Sequence, residues 1–259
     1  MCTVPFDVRH IIRLGAARIA AGIGHGAPDA DLAGVIDHHR FKTGRRARRP
    51  QKLCDEAKRY GFKTVCVNAC NIQVCAAQLG GSSVVPIAVV GFPLGAGTAN
   101  AKAFEAREAV RNGAQEIDMV INLGALKSKD YTVVLDDIAA VVAASAPKPV
   151  KVILETGHLD RDEKVIACAL SKIAGAAFVK TSTGFGPGGA TAEDIALMRA
   201  TVGPEMGVKA SGGVRTAEDV RAMVKAGATR VGASASVAIV SGQTKAPRGA
   251  KPRVQAGGY

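Results

Sequence analysis

Short runs rich in apolar and β-branched residues alternate along this chain with longer segments of helical composition. Residues 32–38, 64–68, 84–91, 116–122, 150–156, 177–183, 207–211 and 230–234 are the eight predicted strands. Between them, residues 101–112, 160–174, 191–201 and 216–226 are among the predicted helices. Two of these open with a threonine ahead of an acidic first turn, Thr191-Ala-Glu193-Asp194 and Thr216-Ala-Glu218-Asp219, which is helix N-cap chemistry. Others close on Asn112-Gly113, Ala174-Gly175 and Ala226-Gly227, where glycine supplies the left-handed stop that returns the chain to a strand.

Eight strand–helix units in this length predict a (β/α)8 TIM barrel. The alternative, an open doubly wound sheet, usually carries a glycine-rich turn after its first strand, and here that position reads Asp37-His38-His39. The expected layout is an additional N-terminal helix over residues 1–30, the barrel over 31–241, and a flexible basic tail over 242–259. Asp7, Arg9, His10, Arg13 and Arg18 break any secretory apolar core. The longest nearly unbroken apolar stretch, 84–92, contains Pro86 and Gly91 and is far too short to span a bilayer, so no membrane partner is expected.

Composition sharpens this only locally. With 47% hydrophobic and 22% charged residues the chain is not predominantly disordered. Its net charge of +12 is concentrated in Arg40, Lys42, Arg45, Arg46, Arg48, Arg49 and Lys52, and in the acid-free tail with Lys245, Arg248, Lys251 and Arg253. No aromatic interleaving or binding motif accompanies this charge, which argues against a nucleic-acid partner. The six cysteines form no C-x-x-C pair or Cys/His ligand spacing, so no structural metal is expected and a reducing cytoplasm fits best.

Barrel strands send alternate residues inward. In Glu116-Ile-Asp-Met-Val-Ile-Asn122, Ile117, Met119 and Ile121 face the helices, so Asp118 and Asn122 are predicted to face inward. The same alternation sends Lys180 and Ser182 inward beside outward Val179, and Lys209 inward beside outward Val208. One reading is a structural ion pair between Asp118 and one lysine. The other, which the pattern favours, uses the second ammonium to lower its neighbour's pKa, leaving an amine that attacks a carbonyl as a Schiff-base nucleophile. Ser182-Thr-Gly184-Phe-Gly186, Ser211-Gly212-Gly213 and Gly232-Ala-Ser234 sit at the C-terminal ends of strands six, seven and eight, and the loops after seven and eight are the usual phosphate site of this fold. The combination points to a phosphorylated carbonyl compound handled by a lysine.

These residues also carry a resemblance. Glu116-Ile-Asp-Met-Val-Ile-Asn122, Phe178-Val-Lys-Thr-Ser-Thr-Gly-Phe185 and Val208-Lys-Ala-Ser-Gly-Gly-Val-Arg-Thr216 closely resemble the deoxyribose-phosphate aldolase family, as do Val65-Cys-Val-Asn68, Gly91-Phe-Pro-Leu-Gly95 and Val152-Ile-Leu-Glu-Thr156. The resemblance implies a class I aldolase of deoxyribose phosphate catabolism, without metal or cofactor. It would reversibly cleave 2-deoxy-D-ribose 5-phosphate to acetaldehyde and D-glyceraldehyde 3-phosphate. It further implies Lys180 as the Schiff-base lysine, Lys209 as the neighbour that depresses its pKa, and Asp118 as proton donor and acceptor with an ordered water. Gly184, Gly212, Gly213, Gly232 and Ser234 would hold the phosphate, Asp37 would orient Lys209, and Cys66 would line the pocket or stand there as an inert thiol. A homo-oligomer, a dimer, is expected.

The chain departs from that family in one stretch. After Asp37-His38 the family's threonine is replaced by His39, and the basic segment through Arg49-Pro50 follows. This reads as a solvated basic loop, an anion-attracting rim, or an out-of-frame stretch of the gene. It predicts a disturbed end of strand one, reduced activity, and a first helix without an acidic cap, at a cost of about 1 kcal/mol. Gly232-Ala-Ser-Ala235 lacks one family hydroxyl that could meet the phosphate, and Ser236 either replaces it or does not. Tyr259 is either frayed or folds back over the barrel mouth.

Overall fold

The structure, a computed structural model, describes residues 32–39, 41 and 49–241. The expected helix over 1–30, Arg40, Lys42 and the basic run to Arg48, and the tail with Tyr259 lie outside the described residues. Among those described, eight parallel strands close into a barrel in sequence order. They are β1 (Ile36–His39), β2 (Thr64–Asn68), β3 (Val85–Val90), β4 (Glu116–Val120), β5 (Val150–Ile153), β6 (Phe178–Lys180), β7 (Gly207–Ser211) and β8 (Arg230–Ala233). Closure is made by β8 against β1, with Asp37 opposite Gly232.

Every predicted strand is present, and several stop short of the predicted ends for identifiable reasons. Leu32–Val35 winds into a 3-10 turn before β1 begins. Asn122 is not an inward strand residue as expected. The strand ends at Val120, and the Asn122 side chain instead accepts the Ala125 amide at 3.1 Å, capping a short helix. Beyond β5, Glu155 turns into the left-handed region at φ 55° and ends extension there. Strand β1 runs through His39, which pairs with Cys66 of β2, so among the described residues strand one is continuous to that point.

Helices α1 (Arg49–Tyr60), α2 (Ile72–Leu79), α3 (Ala99–Arg111), α4 (Leu123–Lys127), α5 (Tyr131–Ser145), α6 (Arg161–Ile173), α7 (Ala192–Val202), α8 (Ala217–Lys225) and α9 (Ser236–Val240) lie between and after the strands. The two threonine caps form as predicted: Thr191 accepts from the Asp194 amide, and Thr216 and Asp219 make a reciprocal capping box. Helix α1 has no acid in its first turn, as its sequence foretold.

The outward faces of the strands form the apolar core against this helical ring. Ile117 and Met119 of β4, Val150 and Val152 of β5, Val179, Val208 and Val231 all join one buried cluster with residues such as Ile138, Cys168 and Met198 of the helices. One ion pair is buried within the ring. Lys102 of α3 donates to Asp137 of α5 at 2.6 Å and to the Val120 carbonyl at the end of β4 at 3.0 Å. Gly91 presses on its stem: a Cβ there would stand 3.0 Å from Lys102 Cε.

Removing one member of such a pair strands the other charge. Lys102→Met is therefore expected to lower unfolding stability by about 3–5 kcal/mol, and the double variant Lys102→Met/Asp137→Leu to recover most of it, read from urea denaturation midpoints.

Candidate active site

The inward faces of the strands carry charge where such a barrel usually carries Val, Ile and Leu. Asp37 of β1, Asp118 of β4, Lys180 of β6 and Lys209 of β7 all point into the barrel, as alternation predicted, and all are buried. The structure adds three residues that the sequence analysis did not single out: Glu116, Lys151 and Arg230. Their signal was present in the same alternation, because outward Val150 and Val152 send Lys151 inward, and outward Val231 sends Arg230 inward.

Asp118 is the hub. Its Oδ2 accepts from Lys180 Nζ at 2.8 Å and from Lys209 Nζ at 2.9 Å, and its Oδ1 accepts from Lys151 Nζ at 3.0 Å. Lys209 also meets Asp37 Oδ2 at 2.6 Å, and Arg230 donates to Asp37 Oδ1 at 2.6 Å and to Glu116 Oε1 at 2.9 Å. Lys151 closes the ring by donating to Glu116. Beneath these groups, the ring of Phe178 lies 5.4 Å from Lys151 Nζ and 5.7 Å from Arg230 Cζ. That ring needs glycine at 207, where a Cβ would stand 2.1 Å from it.

The network holds four cations and three carboxylates. Lys151, Lys209 and Arg230 each bridge two carboxylates, whereas among the described residues Lys180 pairs only with Asp118, through an oxygen it shares with Lys209. Lys180 is thus the least compensated cation. Burial, together with the Lys209 charge, lowers its pKa against the opposing pull of Asp118. For Lys209 burial acts downward, but Asp118 and Asp37 outweigh it and carry the pKa above the ordinary lysine range. Burial would raise Asp118, yet the Lys151, Lys180 and Lys209 ammonium groups hold it well below the usual carboxylate range. One lysine is set to lose its proton and its neighbour to keep it.

Cys66 lies against this cluster with Sγ 3.9 Å from Asp118 Oδ2. Burial and the Asp118 charge push its pKa up to about 12, so it stands as a neutral thiol in the wall. The rest of that wall is apolar: Phe41, Ile87 and Val89 pack with Cys66, and Phe92 lies against them. His39 stacks on Phe41 with ring centroids 5.1 Å apart.

At the strand ends, Gly184, Gly212 and Gly213 adopt φ of 86°, 86° and 81°, the left-handed region that favours glycine. The loop after β6 is braced on both sides. Buried Glu155 accepts from the Thr183 amide at 3.2 Å and from its hydroxyl, and Ala190 N donates to Gly212 O at 2.9 Å. Gly232 serves a close approach: a Cβ there would stand 2.2 Å from Ser211 Oγ and 3.4 Å from Lys209 Cε. Ser234 is exposed beside it. Ser236 does not replace the missing family hydroxyl. It is buried, donates to Ala233 O at 2.7 Å and bonds His38 Nδ1 at 3.0 Å.

Comparison with known proteins places the chain. The family described as DeoC/LacD family aldolase matches residues 31–245. A Listeria monocytogenes protein (serotype 4a, strain HCC23) named deoxyribose-phosphate aldolase is 57% identical over 216 residues, spanning 83% of this chain and 97% of that protein. A crystal structure from Coccidioides immitis, provisionally assigned as a deoxyribose-phosphate aldolase, superposes with a TM-score of 0.83 at 41% identity, covering 90% of this chain and 96% of that one. A deoxyribose phosphate aldolase from Aeropyrum pernix, described as a tetramer, gives a TM-score of 0.75 at 29% identity, covering 91% and 97%.

The site also predicts an acid response. Burial and the nearby Lys180 and Lys209 charges lower the His39 pKa from 6.5 to about 3. Between those values the unfolded chain binds the extra proton, so His39 favours folding fully above pH 6.5 and progressively less as pH falls toward 3. The slope of unfolding free energy is expected to reach up to about 1.4 kcal/mol per pH unit there, and to flatten in His39→Gln. Asp37, held below its ordinary 3.8 by Lys209, Lys151 and Arg230 against burial, adds a further loss only below that pH. Urea midpoints measured from pH 4 to 7.5 separate the two.

Proposed function

The chain belongs to the DeoC/LacD family of aldolases, and from that premise we propose that it cleaves 2-deoxy-D-ribose 5-phosphate reversibly to acetaldehyde and D-glyceraldehyde 3-phosphate through a Schiff base on Lys180. The observation that carries this reading is the charge asymmetry at Asp118: Lys180 shares one carboxylate oxygen with a better-compensated lysine. A neutral Lys180 amine attacks the substrate aldehyde at C1, and loss of water leaves an iminium. The iminium restores the positive charge that the free amine gave up, so Asp118, 2.8 Å from Nζ, faces a cation again.

Cleavage needs a base for the C3 hydroxyl proton. As that proton leaves, the C2–C3 bond electrons pass into the iminium, releasing glyceraldehyde 3-phosphate and an enamine. The enamine is then protonated at C2 and the iminium hydrolysed, freeing acetaldehyde and the amine. Asp118, too weak a base alone because the Lys151 and Lys209 ammonium groups and the Lys180 iminium face it, relays these protons with a water and with Lys209. Asp37 positions Lys209 from its far side at 2.6 Å. The amides of Gly184, Gly212 and Gly213, the approach left open by Gly232, and Ser234 receive the phosphate, and the cationic excess of the barrel favours that anion.

We propose further that the chain works as a homodimer in a reducing cytoplasm. Five cysteines among the described residues are free thiols, and among those residues no helix is long and apolar enough to cross a membrane. The tetramer described for the Aeropyrum pernix relative makes light scattering the direct check on copy number.

The test is a coupled assay for glyceraldehyde 3-phosphate with borohydride trapping of the lysine adduct. Lys180→Ala is expected to abolish both turnover and trapping; adduct persisting on another lysine would move the nucleophile. Asp118→Asn is expected to lower kcat by about 10²–10⁴-fold. Lys209→Met removes a charge that lowers the Lys180 pKa, so the acidic limb of its pH–rate profile is expected to shift to higher pH.

A further inference from the structure

Among the buried hydroxyls that the mechanism above leaves without work, two follow its lysines directly in the chain. Ser182 Oγ and Ser211 Oγ have no hydrogen-bond partner among the described residues, although both side chains are buried. They stand two residues past Lys180 and Lys209, which are paired in register: Ser211 is the last residue of β7, and Ser182 lies just beyond the end of β6. On a strand residues two apart share a face, so Ser211 lies about 6.6 Å further along β7 than Lys209, toward the glycine loops.

Their surroundings leave the hydroxyls nothing local to bond. Thr181 Oγ1 donates to the Ser211 carbonyl at 2.8 Å and accepts from the Ser211 amide at 2.9 Å, so the main chain of Ser211 is satisfied while its side chain is not. Gly232 opens the space into which Ser211 Oγ projects, since a Cβ at 232 would stand 2.2 Å from it. A Cβ on Gly212 would lie 3.4 Å from Ser182 Cβ and 3.8 Å from its Oγ. The two hydroxyls therefore follow the lysines on the side of the loops proposed for the phosphate, next to Gly212 and Gly232.

We propose that Ser182 and Ser211 form the subsite that reads the hydroxyl groups of the acceptor portion of the substrate, selecting a 2-hydroxyaldehyde phosphate over the same aldehyde without the hydroxyl. A buried hydroxyl without a partner is unfavourable in the free protein, and a ligand hydroxyl can be donor and acceptor to both. The selectivity arises because a deoxy acceptor leaves the serines unpaired in the complex. This inference rests on the aldolase reading.

The experiment separates the two claims by using each half of the reaction. Exchange of acetaldehyde methyl protons in D2O, followed by NMR, needs Lys180 and no acceptor. Addition of acetaldehyde to D-glyceraldehyde 3-phosphate, or to 3-oxopropyl phosphate, needs the acceptor subsite as well. Ser211→Ala and Ser182→Ala are each expected to lower kcat/KM for glyceraldehyde 3-phosphate about five- to tenfold while 3-oxopropyl phosphate keeps its value. Proton exchange is expected to be retained, and the thermal midpoint to stay level or rise because an unpartnered hydroxyl is removed. Exchange retained with selectivity unmoved, or both acceptors falling equally, overturns the inference alone. Absence of exchange in the unsubstituted chain overturns the aldolase reading and the inference with it.

Discussion

Among the described residues, one cation too many is buried in this barrel. Glu116, Asp37 and Asp118 face Lys151, Lys209, Arg230 and Lys180, and three of those four cations bridge two carboxylates each. In a dry interior an uncompensated charge is the costliest thing a fold can hold, and releasing a proton is the cheapest way out. Position decides which group releases it. Lys180 lies at the margin of the network with a single half-shared oxygen, so the strain of the whole ring is relieved at one amine.

The remaining architecture serves that arrangement. An apolar shell between strands and helices, with Val150, Val152, Val179 and Val208 outward, frees the inward positions for charge. Close approaches are then made by leaving side chains out: Gly207 admits the Phe178 ring beneath Lys151 and Arg230, and Gly232 admits Lys209 and Ser211. Glu155 ties the loop after β6 to the end of β5, and Ala190 ties the same loop to Gly212. A neutral Cys66 and the aromatic contact of His39 with Phe41 form the opposite wall.

Most of this was legible in the chain because barrel strands obey a period of two. The outward valines beside Lys180 and Lys209 predicted their direction, and the threonine caps and helix-ending glycines predicted where helices start and stop. Lys151 and Arg230 obey the same rule, yet they became visible as site members only once the register set Lys151 between Asp118 and Phe178 and Arg230 beside Lys209. Asn122 shows the opposite failure. Alternation carried it inward, but its side chain found the Ala125 amide, and a local cap ended the strand first. Ser236 likewise has the right composition for the mouth and the wrong direction, because His38 holds its hydroxyl.

The central claim concerns the ionisation of one side chain, and NMR titration of ¹³Cε-labelled lysine reads it directly, with Lys180→Ala and Lys209→Met spectra assigning the two signals. The account predicts that Lys180 titrates below the ordinary lysine value of 10.5 while Lys209 remains protonated through that transition. A Lys180 signal that titrates at or above 10.5, or a Lys209 that loses its proton first, would contradict it.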